Sequence, residues 1–147
     1  MKKIIVINGP NLNMLGVREP NIYGSQTLDS INEAIKQYAI TKGFECEFYQ
    51  SNCEGDLVSK IQTVRDEYAG AIINAGAYTH YSLAIKDAIA LADKPFVEVH
   101  MSNVHAREEF RKTSVISDVC HGSICGFGAG SYILAVKAIA GLIYNLQ

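Results

Sequence analysis

Residues 3–10 read Lys-Ile-Ile-Val-Ile-Asn-Gly-Pro: four aliphatic side chains from Ile4 to Ile7, stopped at once by Asn8-Gly9-Pro10. A run that is apolar at every position, not at alternate ones, suits a strand covered on both faces of a parallel sheet. It is too short for a signal-peptide core or a membrane span. Four further runs repeat the theme at Glu45–Gln50, Ala71–Asn74, Phe96–His100 and Ser123–Gly126, each closed by a polar residue or glycine. Those at 71–74 and 96–100 are again continuous or nearly so. The run at 45–50 instead alternates, with Glu45 and Glu47 on one side and Cys46 and Phe48 on the other. Alternation predicts a half-exposed strand at a sheet edge.

Helical spacing fills the gaps between the runs. Leu28, Ile31, Ile35 and Tyr38 recur at three- and four-residue steps before Lys42-Gly43, and Leu57, Ile61, Val64 and Tyr68 do so before Gly70. A third helix is predicted from about Thr79 to Ala92, ending ahead of Pro95. A fourth, from about Ala129 to Tyr144, is apolar almost all round, with Lys137 its only charge. That composition predicts cover by more than its own sheet, such as a second copy of the chain. Strands alternating with helices require parallel pairing and right-handed crossovers. With an edge-like second strand, the expected α/β fold is a flavodoxin-like, doubly wound five-stranded parallel sheet of order 2-1-3-4-5, helices on both faces. Residues 1–147 read as a single domain, with no repeat, low-complexity segment or linker.

The chain has 147 residues, 48% hydrophobic and 19% charged, with a formal net charge of −2. The apolar fraction excludes disorder as the main state, and the charge balance gives neither a basic footprint for nucleic acid nor a cationic face for a membrane. The four cysteines, at 46, 53, 120 and 125, form no Cys-x-x-Cys pair. Reduced thiols in a cytoplasmic protein are expected, with Cys120 and Cys125 in the core.

In an open parallel sheet, ligands bind beyond the carboxyl ends of the strands, near the point where strand order reverses. The segments predicted there are polar: Gly9 to Gly24 after the first run, Asn74 to His80 after the third, and His100 to Arg111 after the fourth. The first connection, Gly9 to Gln26, is much longer than a usual βα loop and reads as a hinged lid. It carries Arg18 and Tyr23. A guanidinium favours the phenolate of a tyrosine whose ordinary pKa is near ~10, so the two could form a general base; an exposed arginine and a tyrosine packed as a hydrophobic peg is the alternative. Glu98 and His100 lie two apart on a strand, hence on the same face. A carboxylate in an apolar run needs a partner, and His100 is the nearest. The pair is either an oriented proton donor or a purely structural hydrogen bond. His80, His100 and His105 lack the spacing of a metal site, so no metal is expected. No phosphate-binding or nucleophile-elbow signature occurs, and 126–130, Gly-Phe-Gly-Ala-Gly, reads as a tight, closely packed turn.

Four ordered motifs, Gly-Pro-Asn-Leu-Asn at 9–13, Arg-Glu-Pro-x-x-Tyr-Gly at 18–24, Asn-Ala-Gly-Ala-Tyr-Thr-His at 74–80 and Glu-Val-His-Met-Ser-Asn-Val-His-Ala-Arg-Glu-Glu-Phe-Arg at 98–111, closely resemble the type II 3-dehydroquinate dehydratases. The resemblance covers essentially the whole chain. It implies a cofactor-free lyase that converts 3-dehydroquinate to 3-dehydroshikimate by anti elimination through an enolate. By that likeness Tyr23 is the base, Arg18 and Arg107 supply positive potential, Asn11 fixes a water on the enolate oxygen, and His100 is the acid positioned by Glu98. Ser102 and the amides of Met101 and Ser102 would take the substrate carboxylate, and Asn74, His80 and Arg111 its hydroxyls. Asp87, on the third helix, would reach a neighbouring subunit's site in a dodecamer of trimers; without the resemblance it reads as a solvated helix charge. The rival readings are a non-catalytic polyol- or carboxylate-binding module and a nucleotide- or flavin-binding protein of the same fold.

Overall fold

The computed structural model describes residues 1–17 and 26–145. Its strands are β1 (Lys2–Asn8), β2 (Phe44–Gln50), β3 (Gly70–Asn74), β4 (Phe96–His100) and β5 (Gly122–Cys125). They form one parallel sheet in the order β2-β1-β3-β4-β5, the order expected from the pattern of apolar runs. The helices are α1 (Leu28–Thr41), α2 (Glu54–Glu67), α3 (Leu83–Ala92) and α4 (Gly130–Ile143).

Each strand sends alternate side chains to opposite faces, so the sheet divides the apolar residues into two cores. Ile4, Val6, Ile72, Val97 and Val99 pack with Ile31 and Ile35 of α1 and with Tyr132, Val136 and Ile139 of α4. Ile5, Ile7, Ile73 and Phe96 pack on the other side with Leu57, Ile61 and Val64 of α2 and with Ile85 and Ile89 of α3. Ile4 to Ile7 are wholly buried, as a strand covered on both faces must be. On β2, Phe44 and Cys46 are buried while Glu45 is exposed, the alternation of an edge.

Local signals set the helix ends. The Thr27 hydroxyl accepts from the Ser30 amide at 3.2 Å to start α1, and Gly43 leaves it with φ +83°. The third helix starts later than its apolar spacing suggested. Residues Gly76–His80 form a separate 3₁₀ turn that ends where Tyr81 leaves helical geometry at φ −155°, and α3 begins only after Ser82, extended at ψ 99°, caps the Ile85 amide at 3.1 Å.

One other expectation needs correction. Cys120 and Cys125 are half-buried, not core, because they lie at and just before β5, the second sheet edge. On α4, Ser131, Tyr132, Ala135, Val136, Ile139 and Ala140 are buried against the sheet and α1, so the helix is covered by more than the sheet, while Leu134 is 43% exposed. Large apolar side chains are also exposed on and just ahead of α3, where Leu83 is 63%, Leu91 68% and Tyr81 61% exposed. The 126–130 segment is a turn, with Gly126 at φ +99° and Gly128 at φ +59°, held to the end of β4 by the Gly126 amide donating to the His100 carbonyl at 3.2 Å and the Gly128 amide to the Met101 carbonyl at 2.9 Å.

Candidate active site

The carboxyl ends of β1, β3 and β4 open onto a cleft of about 610 Å³ including its mouth. It lies beside the gap between β1 and β3, where the chain's winding reverses. Asn8 and Asn74 are register partners at those strand ends. The Tyr132 hydroxyl joins them from α4, donating to Asn8 Oδ1 at 2.6 Å and accepting from Asn74 Nδ2 at 2.9 Å. The Gly76 amide donates to Asn74 Oδ1 at 3.2 Å, so the Asn74 side chain reaches the cleft floor already oriented. Burial pushes the Tyr132 phenol far up, which keeps that hydroxyl neutral.

The first wall comes from the loop after β1. Gly9 is obligatory: a Cβ there would lie 2.4 Å from the Ala75 carbonyl oxygen, where the two loops cross. Leu12 and Leu15 anchor the loop in the core. Asn11 is exposed at the cleft, with a left-handed φ of 70° that asparagine tolerates better than most residues. Its amide donates to Asn52 Oδ1 at 3.0 Å, and Gln50 Nε2 reaches Gly9 O and Asn52 Oδ1, each at 3.1 Å. Gln50 and Asn52 thus brace the loop from the end of β2, a position the strand-end argument could have flagged. Arg18 and Tyr23 lie outside the described residues.

The opposite wall is built on β4. Glu98 and His100 lie on one face of the strand, and His100 Nε2 donates to Glu98 Oε2 at 2.5 Å. Glu98 is 1% exposed, yet its carboxyl is held below the usual range. Burial pushes it up; the hydrogen bond from His100, then that from Ser117, then the attraction of His100 and the bond from Ser114 together outweigh burial. With Nε2 committed to the carboxylate, the other ring nitrogen of His100 remains for the cleft, which the ring lines. His80 also lines it; its Nδ1 lies 2.7 Å from the Thr113 carbonyl oxygen and donates to it, and its ring stacks on that of His100 with centroids 6.5 Å apart.

Beyond β4, Met101, Ser102, Arg107 and Arg111 complete the lining. Arg107 Nη1 donates to Ser102 Oγ at 3.4 Å, and Arg111 Nε donates to Glu108 Oε2 at 2.6 Å. Hydroxyl, guanidinium and amide groups therefore face a small space, a set that suits a carboxylate-bearing, hydroxylated molecule. Asp87 is exposed on α3 and does not line this cleft. Among the described residues no group of three His, Cys, Asp or Glu side chains could hold a metal, and no helix is long and apolar enough to cross a membrane.

The family model described as "Dehydroquinase class II" matches residues 2–140. A 3-dehydroquinate dehydratase of Geotalea daltonii is 57% identical over 137 residues, which is 93% of this chain and 95% of that protein. One from Caldicellulosiruptor bescii is 56% identical over 140 residues, 95% of this chain and 97% of that protein. Among solved structures, the type II dehydroquinase of Butyrivibrio crossotus superposes with a TM-score of 0.91 at 49% identity, covering 94% of this chain and 97% of that one.

Proposed function

The chain belongs to the class II dehydroquinase family, and from that premise we infer that it is a hydro-lyase converting 3-dehydroquinate reversibly to 3-dehydroshikimate by anti elimination. The observation that carries this reading is the buried Glu98–His100 pair, bonded at 2.5 Å, beside a cleft lined by Asn74, Ser102, Arg107 and Arg111.

Loss of water next to a ketone poses two problems: a weakly acidic C–H must be broken, and hydroxide is a poor leaving group. Tyr23, as phenolate, removes the proton from the carbon beside the ketone. Arg18 favours that phenolate, and Arg107 adds positive potential. The enolate so formed is stabilised by a water held by Asn11, whose left-handed backbone turns it toward the cleft. As the enolate collapses, the C–O bond breaks and His100 gives its proton to the departing oxygen, which leaves as water. Tyr23 has gained a proton and His100 has lost one, and exchange with solvent restores both. Glu98 keeps the imidazole turned and balances its charge when protonated.

Recognition falls to the rest of the lining. Ser102 and the amides of Met101 and Ser102 take the substrate carboxylate, while Asn74, His80 and Arg111 hold ring hydroxyls. Asp87 lies away from its own cleft, on the helix with the most exposed apolar side chains. This supports a trimeric contact through α3 that brings Asp87 to a neighbour's site, within a dodecamer of trimers. A cytoplasmic place in the shikimate pathway, toward chorismate and the aromatic amino acids, follows from the same reading.

The test is direct. Purified protein incubated with 3-dehydroquinate should raise the ultraviolet absorbance of the conjugated enone product. A folded oligomer that binds the substrate without turnover would reduce it to a binding module. Tyr23→Phe removes only the hydroxyl, and near-normal turnover by it would eliminate Tyr23 as the base.

A further inference from the structure

We propose that Ser114 and Ser117 are positioning residues for the dehydration, holding Glu98 as a carboxylate turned toward His100. The proposal rests on the dehydratase reading above. Glu98 divides its oxygens: Oε2 takes the bond from His100, and Oε1 accepts from Ser117 Oγ at 2.5 Å and from Ser114 Oγ at 3.2 Å.

The wiring selects the charged form. The Ser114 oxygen already accepts from the backbone amides of Ile116 at 3.3 Å and Ser117 at 3.1 Å. A hydroxyl has two lone pairs and one proton, so both of its acceptor sites are used and only its proton is left for Glu98. It cannot accept from a neutral carboxylic acid. Three donors therefore converge on one carboxyl group that is 1% exposed, an arrangement that favours the anion despite burial. If Glu98 became neutral, its proton would compete for the place of the His100 N–H, and the imidazole would lose its orientation.

The serines are themselves fixed. The Val115 amide donates to the Thr79 carbonyl at 2.8 Å, His80 holds the Thr113 carbonyl at 2.7 Å, and Ile116 is wholly buried. The turn carrying Ser114 and Ser117 is thus pinned to the turn carrying His80. Behind the pair lies a chamber of about 580 Å³ including its mouth, lined also by His80, His105, Arg111, Lys112 and Cys125. Among the described hydrogen bonds none runs from those basic groups to Glu98, and the charge that acts on its carboxyl is that of His100. The Cys120 thiol, pushed up to about 12 by burial and then by the charges of Glu98 and Asp118, stays neutral. Direct donation to Oε1 comes, among the described residues, from the two serines.

The test compares Ser117→Ala and Ser117→Thr with the unmutated enzyme, following 3-dehydroquinate turnover across pH. Ser117→Ala should lower kcat about tenfold with KM within about twofold, and should move the acid limb of the kcat profile up by about one pH unit. Ser117→Thr keeps the hydroxyl and should restore both. The carboxyl ¹³C shift of Glu98, read by NMR without substrate, should titrate at higher pH in Ser117→Ala. Unchanged kcat, acid limb and Glu98 titration in Ser117→Ala would overturn the proposal. So would equal losses in the alanine and threonine variants with the Glu98 titration unmoved, the mark of a purely structural role. No turnover by the unmutated enzyme would instead remove the dehydratase reading, and the Glu98 titration tells that failure apart.

Discussion

Two glutamates on two strands of the same sheet show what burial does to a carboxylate. Glu47, on the edge strand β2, is 39% exposed, pairs with Lys3 Nζ at 2.6 Å and accepts from the Tyr68 hydroxyl at 2.7 Å. Glu98, on β4, is 1% exposed and takes its donors from His100 and two serines. Both are held below the usual carboxylate range, Glu47 chiefly by its hydrogen bonds from Lys3 and then Tyr68. Glu98 reaches the same direction only after its donors outweigh the penalty of burial. The edge glutamate has a permanently charged partner and water to share, so its pair does nothing but hold a strand edge. The buried one is paired with a group able to exchange a proton, at the mouth of a cleft. The same residue type pairs with a lysine at the surface in one place and, on the proposed mechanism, orients the proton donor in the other.

The contrast can be broken from either side. His100→Ala should produce the largest effect, a fall in kcat of roughly 10²–10⁴ with KM changed only a few-fold, measured by steady-state kinetics. A KM defect alone would move His100 to the recognition group. Lys3→Ala, at the corresponding place in the edge pair, should leave kcat as it was.

Acid unfolding sharpens the comparison through its sign. The folded-state pKa of Glu98 lies below its unfolded value, so its contribution to stability is present above that unfolded value, near ~4.3, and is lost as pH falls through the folded pKa. Thermal melts of Glu98→Gln should therefore depend less on pH below about 4.3 than those of the unmutated protein. Glu47→Gln should shift the same curve much less, because solvent screens the edge pair. The smallest effect expected is on stability at neutral pH, where Glu47→Gln should cost about 0–1 kcal/mol in denaturant titrations.

Much of this was legible in the residues themselves. Continuous apolar runs mark the strands covered on both faces, and the alternation at 45–50 marks the edge, which is enough to order the sheet. The two-residue spacing of Glu98 and His100 puts them on one face. What was not legible depends on contacts made far along the chain. Ser114 and Ser117 reach Glu98 from 16 and 19 residues away on a short irregular turn with no periodicity to read. Tyr132 meets Asn8 across 124 residues. The start of α3 is not legible because the break comes from the non-helical backbone of Tyr81 and Ser82, which the apolar spacing around them does not record. The exposed side chains of α3 were not legible either, because Leu83 and Leu91 belong to an apolar spacing that gives no sign of which of its members face outward.

The most direct measurement is the kcat of Glu98→Gln and Glu47→Gln on 3-dehydroquinate, taken side by side at neutral pH on protein shown to be folded. The account predicts a fall on the order of tenfold or more for Glu98→Gln, because His100 loses the carboxylate that orients it, and an unchanged value for Glu47→Gln. Equal kcat values in the two variants would contradict it.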